Sequence, residues 1–329
     1  MSLEILTPGL LTTVQDAGRS GWRASGVGVG GAADRYSLEV ANLLVGNRLD
    51  AAVLEITLDG PTVRLHRAAT IALCGAQIDT LVDGLALPAW RPIALPAGSI
   101  LALGACRRGA RAYLAINGGI DVALVLGSRS TDLRATFGGH EGRALRAADV
   151  LPLAGASPRL HDVSERAASL QPDDAPQIAS WWIDADADLD FSDSIAVRVL
   201  PGIDALHATD ALHAQEFVVD AASNRQGLRL RGTALQIADP RERISEPVVP
   251  GTVQLPPDGQ PIVLLADAQT VGGYPRIGHV IAADLPRLAQ RRAGQYLRFV
   301  AIDAREAHRI NAEQRARLGR IALAIAGRR

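Results

Sequence analysis

The chain has 329 residues, with 34 basic against 35 acidic side chains and a formal net charge of −1. A chain of this length buries roughly 75% of the surface that its unfolded form exposes, so it needs no disulfide or metal to hold a core. Near-neutral charge offers no broad cationic field to a polyphosphate, which argues against nucleic-acid binding, and 48% apolar with 21% charged residues is globular rather than disordered usage. All 34 basic residues are arginine; lysine is absent, beside 56 alanines. That excludes a Schiff-base lysine, a Walker-type phosphate lysine and a lysine that carries biotin.

In chain order, Met1–Glu4 has no basic leader, and no run approaches the ~18 apolar residues of a membrane span. The expected setting is a bacterial cytoplasm, with no membrane contact. Asp34 caps a predicted helix whose apolar face is Tyr36, Val40, Leu43 and Leu44, with Gly46-Asn47 as its stop. Short apolar runs at 62–65, 70–73, 100–103, 113–116, 195–200 and 262–265, bounded by Gly, Pro, Asp or Asn, read as strands. Cys74 and Cys106 each end such a run without a ligand partner nearby and read as packed, reduced thiols. The run 122–126 reads as a short helical turn. Between 156 and 194 the pattern changes: Pro158, Pro172, Pro176 and the acidic run 184–190 suggest a linker or surface excursion. Trp181-Trp182 would pin it to a domain, with a partner contact as the alternative. Residues 282–292 read as a second short helix. Asp303 and Glu306 open a terminal one, with Ala307, Ile310 and Leu318 on one side. The expected fold is mainly β, with domains at 1–155 and 195–329 and a few short helices.

The seven histidines include no zinc-type pair, so no metal site is expected. The glycine-rich stretch 26–31 lacks both a preceding strand and a lysine, which makes it a poor phosphate loop. Four polar clusters set among glycines are the better candidates. The first, Thr13-Val14-Gln15-Asp16-Ala17-Gly18-Arg19 continuing to Asp34-Arg35, offers Arg19 and Asp34 to a ligand, or else a tight hairpin with a surface ion pair. The second, Gly127-Ser128-Arg129-Ser130-Thr131, places hydroxyls beside Arg129, and Ser130 suits either an oxyanion or a turn. Gly138-Gly139-His140-Glu141-Gly142-Arg143 repeats the theme. The third contains Asn224, Arg225 and Arg229, the two arginines four apart and so on one side of a strand. The fourth runs from Glu246 through Gln254 to Asp267, Gln269, Thr270, Tyr274 and Arg276. An acid, two amides and a tyrosine in a glycine-rich loop suit recognition of an amide or oxyanion. These clusters are expected to converge near a partner-facing cleft.

The segments TVQDAGR, ANLLVGN, AYLAINGGID, LGSRST, SNRQGLRLRG and VPGTVQLPPDGQPIVLLADAQTVGGYP resemble the biotin-dependent carboxyltransferase family. That family includes the 5-oxoprolinase subunit that is also called allophanate hydrolase subunit 2, the antagonist of the sporulation-kinase inhibitor, and part of urea carboxylase. The likeness runs from Leu3 to about Phe299. The sequence departs from the family at Gly26–Asp34 and at Gln226, where Met is usual, which bears on substrate identity. The resemblance implies two cyclophilin-like β-barrel domains, a companion subunit of related fold and, for the oxoprolinase, a third lactam-opening subunit. It implies an ATP-dependent cyclic amide hydrolase that opens 5-oxo-L-proline to L-glutamate and is inactive as a single chain.

On that reading Asp267, Glu246, Gln269 and Tyr274 are the catalytic candidates. Arg19, Asp34, Arg129, Ser130, Asn224, Arg225, Gln254 and Thr270 would bind substrate. ATP would be held at a site shared with a partner, with no covalent biotin on this chain. One alternative is a carboxyltransferase component acting on urea or a related amide, with carboxybiotin on another protein. Another is a non-catalytic regulator of a kinase-inhibitor-like subunit.

Overall fold

The computed structural model describes residues 2–155, 167–184, 186–204, 209–236 and 244–327. The chain is mainly β and divides into two compact units. Met1–Arg19, Asp34–Leu189 and Leu318–Arg329 form the first, and Ser20–Ala33 with Asp190–Arg317 form the second.

The first unit is a ten-stranded sheet. Its strands are β1 (Ser2–Thr7), β2 (Leu11–Gln15), β3 (Val53–Thr57), β4 (Thr62–Leu65), β5 (Ala69–Val82), β6 (Leu85–Ala86), β7 (Ile93–Leu95), β8 (Ile100–Ile116), β9 (Val150–Pro152) and β10 (Gln177–Ile178). They run in the order β10-β7-β5-β8-β4-β1-β9, with β3 on β8, β2 on β3 and β6 on β5. The long strands β5 and β8 form its spine, and Gly75, at φ +90°, marks a bulge where their register shifts. Alternating Leu3, Ile5, Leu54, Ile56, Leu114 and Ile116 fill the core. Asp34 caps the helix Arg35–Leu44, which buries Tyr36, Leu38, Val40, Ala41 and Leu44. Cys74 and Cys106 are buried and reduced; burial and then Asp34 push the Cys74 thiol well up.

The second unit is a closed barrel. Its strands are β11 (Ser194–Pro201), β12 (Glu216–Val219), β13 (Gly227–Arg231), β15 (Thr252–Gln254), β16 (Ile262–Leu264), β18 (Arg276–Val280) and β19 (Tyr296–Ala301). A separate ribbon pairs β14 (Glu246–Pro247) with β17 (Val271–Gly272). The barrel order is β11-β18-β15-β16-β13-β12-β19, closed by the parallel pair β11 and β19. Phe217 and Phe299 meet edge to face at 5.8 Å inside it, a contact adding about 1 kcal/mol beyond area burial.

Three expectations change. Residues 122–126 form no helix: Val125 and Ser128 bridge across Leu126-Gly127, both at positive φ (54° and 81°). That is the mirror-image two-residue turn, which suits glycine and which leucine seldom enters. The 282–292 helix is a 3₁₀ turn, Ala282–Asp284, followed by Leu285–Ala289. Within the 156–194 stretch, β10 joins the first sheet by pairing with β7. Beyond β10, Arg91 lies 5.1 Å from the Trp182 ring and Ile183 N–H donates to the Trp90 carbonyl, so Trp182 and the backbone after it tie this segment to the first unit. The terminal helix, Ala304–Ala326, opens with Asp303 accepting the Glu306 N–H. Among the described residues no helix is long and apolar enough to cross a membrane.

Candidate functional site

In the first unit the polar clusters form one knot. Asp16 leaves the end of β2 almost fully buried. Its Oδ1 accepts from Ser128 Oγ (2.7 Å), Ser130 Oγ (2.5 Å) and the Gly18 N–H (2.8 Å), and its Oδ2 from the Arg129 N–H (2.6 Å). Arg19, also buried, donates to the Ser130 carbonyl and lies 4.6 Å from the centroid of the Phe137 ring. Gly138 and Gly139, both at positive φ, press against Ser130 and Thr131 so closely that a Cβ on either would collide. Arg129 turns outward, to Asp121 Oδ1 (2.6 Å) and the Val122 carbonyl (2.9 Å). Asp34 accepts the Ser37 N–H at 2.9 Å on Oδ1 and the Ser37 hydroxyl at 2.6 Å on Oδ2. Its own N–H donates to the Tyr113 hydroxyl, which donates to Glu55 Oε2 at 2.8 Å. Burial, then Glu55 and Asp34, raise the Tyr113 phenol well above its ordinary range. Arg19, Asp34, Arg129 and Ser130 are therefore each tied into the first unit's own framework.

In the second unit, Arg225 grips Asp267 with two bonds of 2.7 and 2.9 Å and donates to the Gly31 carbonyl at 2.6 Å. This bidentate pair holds the glycine-rich segment Ser20–Ala33, which Arg23 ties again at the Val248 carbonyl. Gly28 packs near the Ala268 carbonyl, 3.2 Å from the place of a Cβ. Arg225 and Arg229 do not share a face: Arg225 precedes β13 and is buried, and Arg229 within it is exposed, so strand alternation does not relate them. Asn224 is exposed, and its Oδ1 accepts the Gln226 N–H at 2.8 Å, a turn-forming role. Thr270 is buried and its carbonyl accepts the Val248 N–H.

Farther along the same loop lies a cleft of about 320 Å³. Glu246, Gly272, Gly273, Tyr274 and Arg276 line it with Asp204, and Ile203 and Ile244 complete its wall. Arg276 pairs with Glu246, and its N–H donates to Asp204 Oδ2 at 2.8 Å. Beneath Gly272 sits the Gln254 amide, 2% exposed, whose Oε1 accepts from Gln269 Nε2 at 3.3 Å. Glu246, Gln254, Gln269, Thr270, Tyr274 and Asp267 thus belong to one unit, and four of them stand at or under the cleft. Sequence reasoning missed Asp204 and the two isoleucines. The signal was Gly202, which packs so tightly on Arg276 and Ile277 that a Cβ would collide, bringing Ile203-Asp204 to the loop.

This chain belongs to the carboxyltransferase family: the profile "Carboxyltransferase domain, subdomain A and B" matches residues 25–301. It is 40% identical over 317 residues to the 5-oxoprolinase subunit of this family in Escherichia coli, covering 95% of each chain. The same-named protein of Haemophilus influenzae is 32% identical over 94% of each. Among solved structures, the urea carboxylase of Kluyveromyces lactis superposes with a TM-score of 0.86 at 29% identity, over 97% of this chain and 29% of that one.

Proposed function

We propose that the chain is one subunit of an ATP-dependent 5-oxoprolinase complex that hydrolyses 5-oxo-L-proline to L-glutamate in the cytoplasm. The observation that carries this reading is end-to-end likeness to a 5-oxoprolinase subunit, 40% identical with 95% of both chains covered. In balance, one lactam, one ATP and two waters would give glutamate, ADP and phosphate. ATP, when bound, supplies a phosphoryl group that makes the amide carbon a better electrophile. This chain's part is to hold the lactam. Gln254, Gln269 and Tyr274 orient the amide, and Glu246, exposed at the cleft, positions the attacking water. Asp267 acts by holding Arg225 and, through it, the segment at Gly31. Arg19, Asp34, Arg129 and Ser130 frame the first unit.

The lack of any lysine supports an ATP site to which a partner contributes, the expected partners being a companion subunit of related fold and a third, lactam-opening subunit. It also leaves no residue for covalent biotin. The test is co-expression with both companions, followed by measurement of ATP-dependent glutamate release. Robust release by the complex and less than a hundredth of it by the purified chain is the expected result. A complex that leaves 5-oxo-L-proline untouched refutes the reading. The second reading, carboxyl transfer from carboxybiotin on another protein to urea or a related amide, is favoured by the urea carboxylase likeness. It predicts urea carboxylation by a complex with a biotin carrier instead.

A further inference from the structure

Aspartate or asparagine before glycine is prone to a cyclisation. The glycine N–H, with no Cβ to shield it, closes on the neighbour's side-chain carbonyl carbon to form a five-membered imide. The sequence holds four such pairs: Asp59-Gly60, Asp83-Gly84, Asn117-Gly118 and Asp258-Gly259. Closure needs a free glycine N–H and room for the ring, and the fold denies both at three of them. Gly60 N–H donates to the Gly104 carbonyl at 3.0 Å, Gly118 N–H to Asn47 Oδ1 at 2.7 Å, and Gly259 N–H to the Pro256 carbonyl at 3.0 Å. Each of these glycines is also hemmed in. A Cβ would lie 2.5 Å from Leu103 Cβ at Gly60, 2.4 Å from the Ala154 carbonyl oxygen at Gly118 and 2.7 Å from the Leu235 carbonyl oxygen at Gly259. Asp83-Gly84 is the exception. The pair is the two-residue turn between β5 and β6, at φ +49° and +86°, and both residues are exposed. Among the described residues the Gly84 N–H has no acceptor, and nothing lies within 4 Å of the place of its Cβ. The Asp83 carboxylate is held only by a long bond, 3.4 Å, from the Ile100 N–H.

We propose that Asp83 is a site of succinimide formation, and so of isoaspartate, and that the folded chain confines this modification to the β5–β6 turn. The Gly84 nitrogen attacks the carbon of the protonated Asp83 carboxyl group and forms the new N–C bond. The nitrogen's proton and the carboxyl hydroxyl leave together as water. A second water then opens the ring at either carbonyl. Opening at the main-chain carbonyl routes the backbone through the side-chain carbon, which is isoaspartate; opening at the other restores aspartate. One water leaves and one returns, so the step needs no oxidant, reductant or cofactor. The isomer adds a methylene to the main chain between Val82 and Leu85, the pair that closes the turn. The short ladder of Leu81 with Ala86 and Val82 with Leu85 is therefore the part of the sheet that it loosens.

The folded full chain is incubated at neutral pH in H₂¹⁸O beside the same chain unfolded in guanidinium chloride, and both are mapped by mass spectrometry. Each ring opening leaves one heavy oxygen at its site. Label is read at each aspartate as a ratio, folded over unfolded, which removes any effect of local sequence. The ratio at Asp83 should exceed those at Asp59 and Asp258 by about tenfold or more, the factor that about 1.4 kcal/mol of barrier produces. A ratio at Asp83 no higher than at the other two overturns the inference. Asp83→Asn takes the same ring path with ammonia as the leaving group. That variant should lose its new side-chain nitrogen while Asn117 keeps its own, and retention at 83 or earlier loss at Asn117 also overturns it. An isoaspartate-specific carboxyl methyltransferase, with S-adenosylmethionine as methyl donor, identifies the product. It should methylate the aged wild type at position 83 and leave Asp83→Ser untouched there. Heavy oxygen at Asp83 without any methylation defeats the isoaspartate assignment.

Discussion

Asp16 is the sharpest test of whether the family-like segments of the first unit are framework or chemistry. Its carboxylate takes four hydrogen bonds, from the hydroxyls of Ser128 and Ser130 and the N–H groups of Gly18 and Arg129. Asp16→Ala removes every acceptor at once and leaves four donors in a pocket where Ser128 and Ser130 are fully buried. An unsatisfied buried donor costs about 1–3 kcal/mol. Water entering the emptied volume can satisfy roughly half of them, so the expected loss is about 3–4 kcal/mol. Asp16→Asn keeps the shape but turns an NH₂ toward the Arg129 N–H or toward the three donors on Oδ1, for about 2 kcal/mol. Urea denaturation followed by near-ultraviolet circular dichroism measures both losses, and hydrogen exchange at the Gly18 and Arg129 amides locates them. Alanine should cost more than asparagine, with exchange accelerated at those two amides. Wild-type stability in both variants, combined with loss of turnover in the assembled complex, would refute the structural assignment of Asp16.

Asp149 carries a pH signature. Two hydrogen bonds from Arg143, 2.7 and 2.9 Å long, hold its carboxyl at about 2 rather than the usual 3.8. A carboxyl lowered in the folded state contributes fully above the unfolded value and loses that contribution as pH falls toward the folded one. The wild type should therefore lose about 2 kcal/mol more than Asp149→Asn between pH 4 and pH 2, and parallel stability curves would contradict this. Gly75→Ala should cost more than 3 kcal/mol, because φ is +90° and the new Cβ would strike the Arg111 carbonyl. Gly104→Ala, with Asp79 Cβ 3.4 Å away and no positive φ, should leave the urea midpoint nearly unchanged, and equal losses at both positions would argue against the bulge.

The strands were legible because apolar alternation survives any neighbour: 62–65 became β4 unchanged, and 100–103 and 113–116 proved to be two ends of the single strand β8. The helix caps Asp34 and Asp303 were legible for a local reason, since a side chain that accepts from the N–H three residues on needs no tertiary help. Leu126 at φ 54° was not, because leucine carries no signal for a conformation that the tertiary fold imposes on it. In the candidate site, the residue types of the Glu246–Arg276 loop were visible and their division of labour was not. Nothing in the spacing tells that Asp267 faces Arg225, 42 residues away, while Glu246 faces Arg276 at 30. The Gln254 amide under Gly272, accepting from Gln269, depends on all three residues arriving together, a three-body fact with no one-dimensional trace.

The segment Ser20–Ala33 is made early in translation but completes a unit whose remainder begins at Asp190. Its anchor, the bond from Arg225 to the Gly31 carbonyl, spans 194 positions of sequence. At about 5–20 residues per second of synthesis, the segment waits about 10–40 s after leaving the ribosome before that arginine exists. Its composition suits the delay: Ser20-Gly21-Trp22-Arg23-Ala24-Ser25-Gly26-Val27-Gly28-Val29-Gly30-Gly31-Ala32-Ala33 is mostly glycine and small residues, with Trp22 as its one large apolar group. Such a stretch offers little to sticky, half-made neighbours. A fragment beginning at residue 190 would emerge without it, leaving Arg225 no Gly31 carbonyl to meet, so the second unit cannot be obtained whole by cutting the chain at a single point.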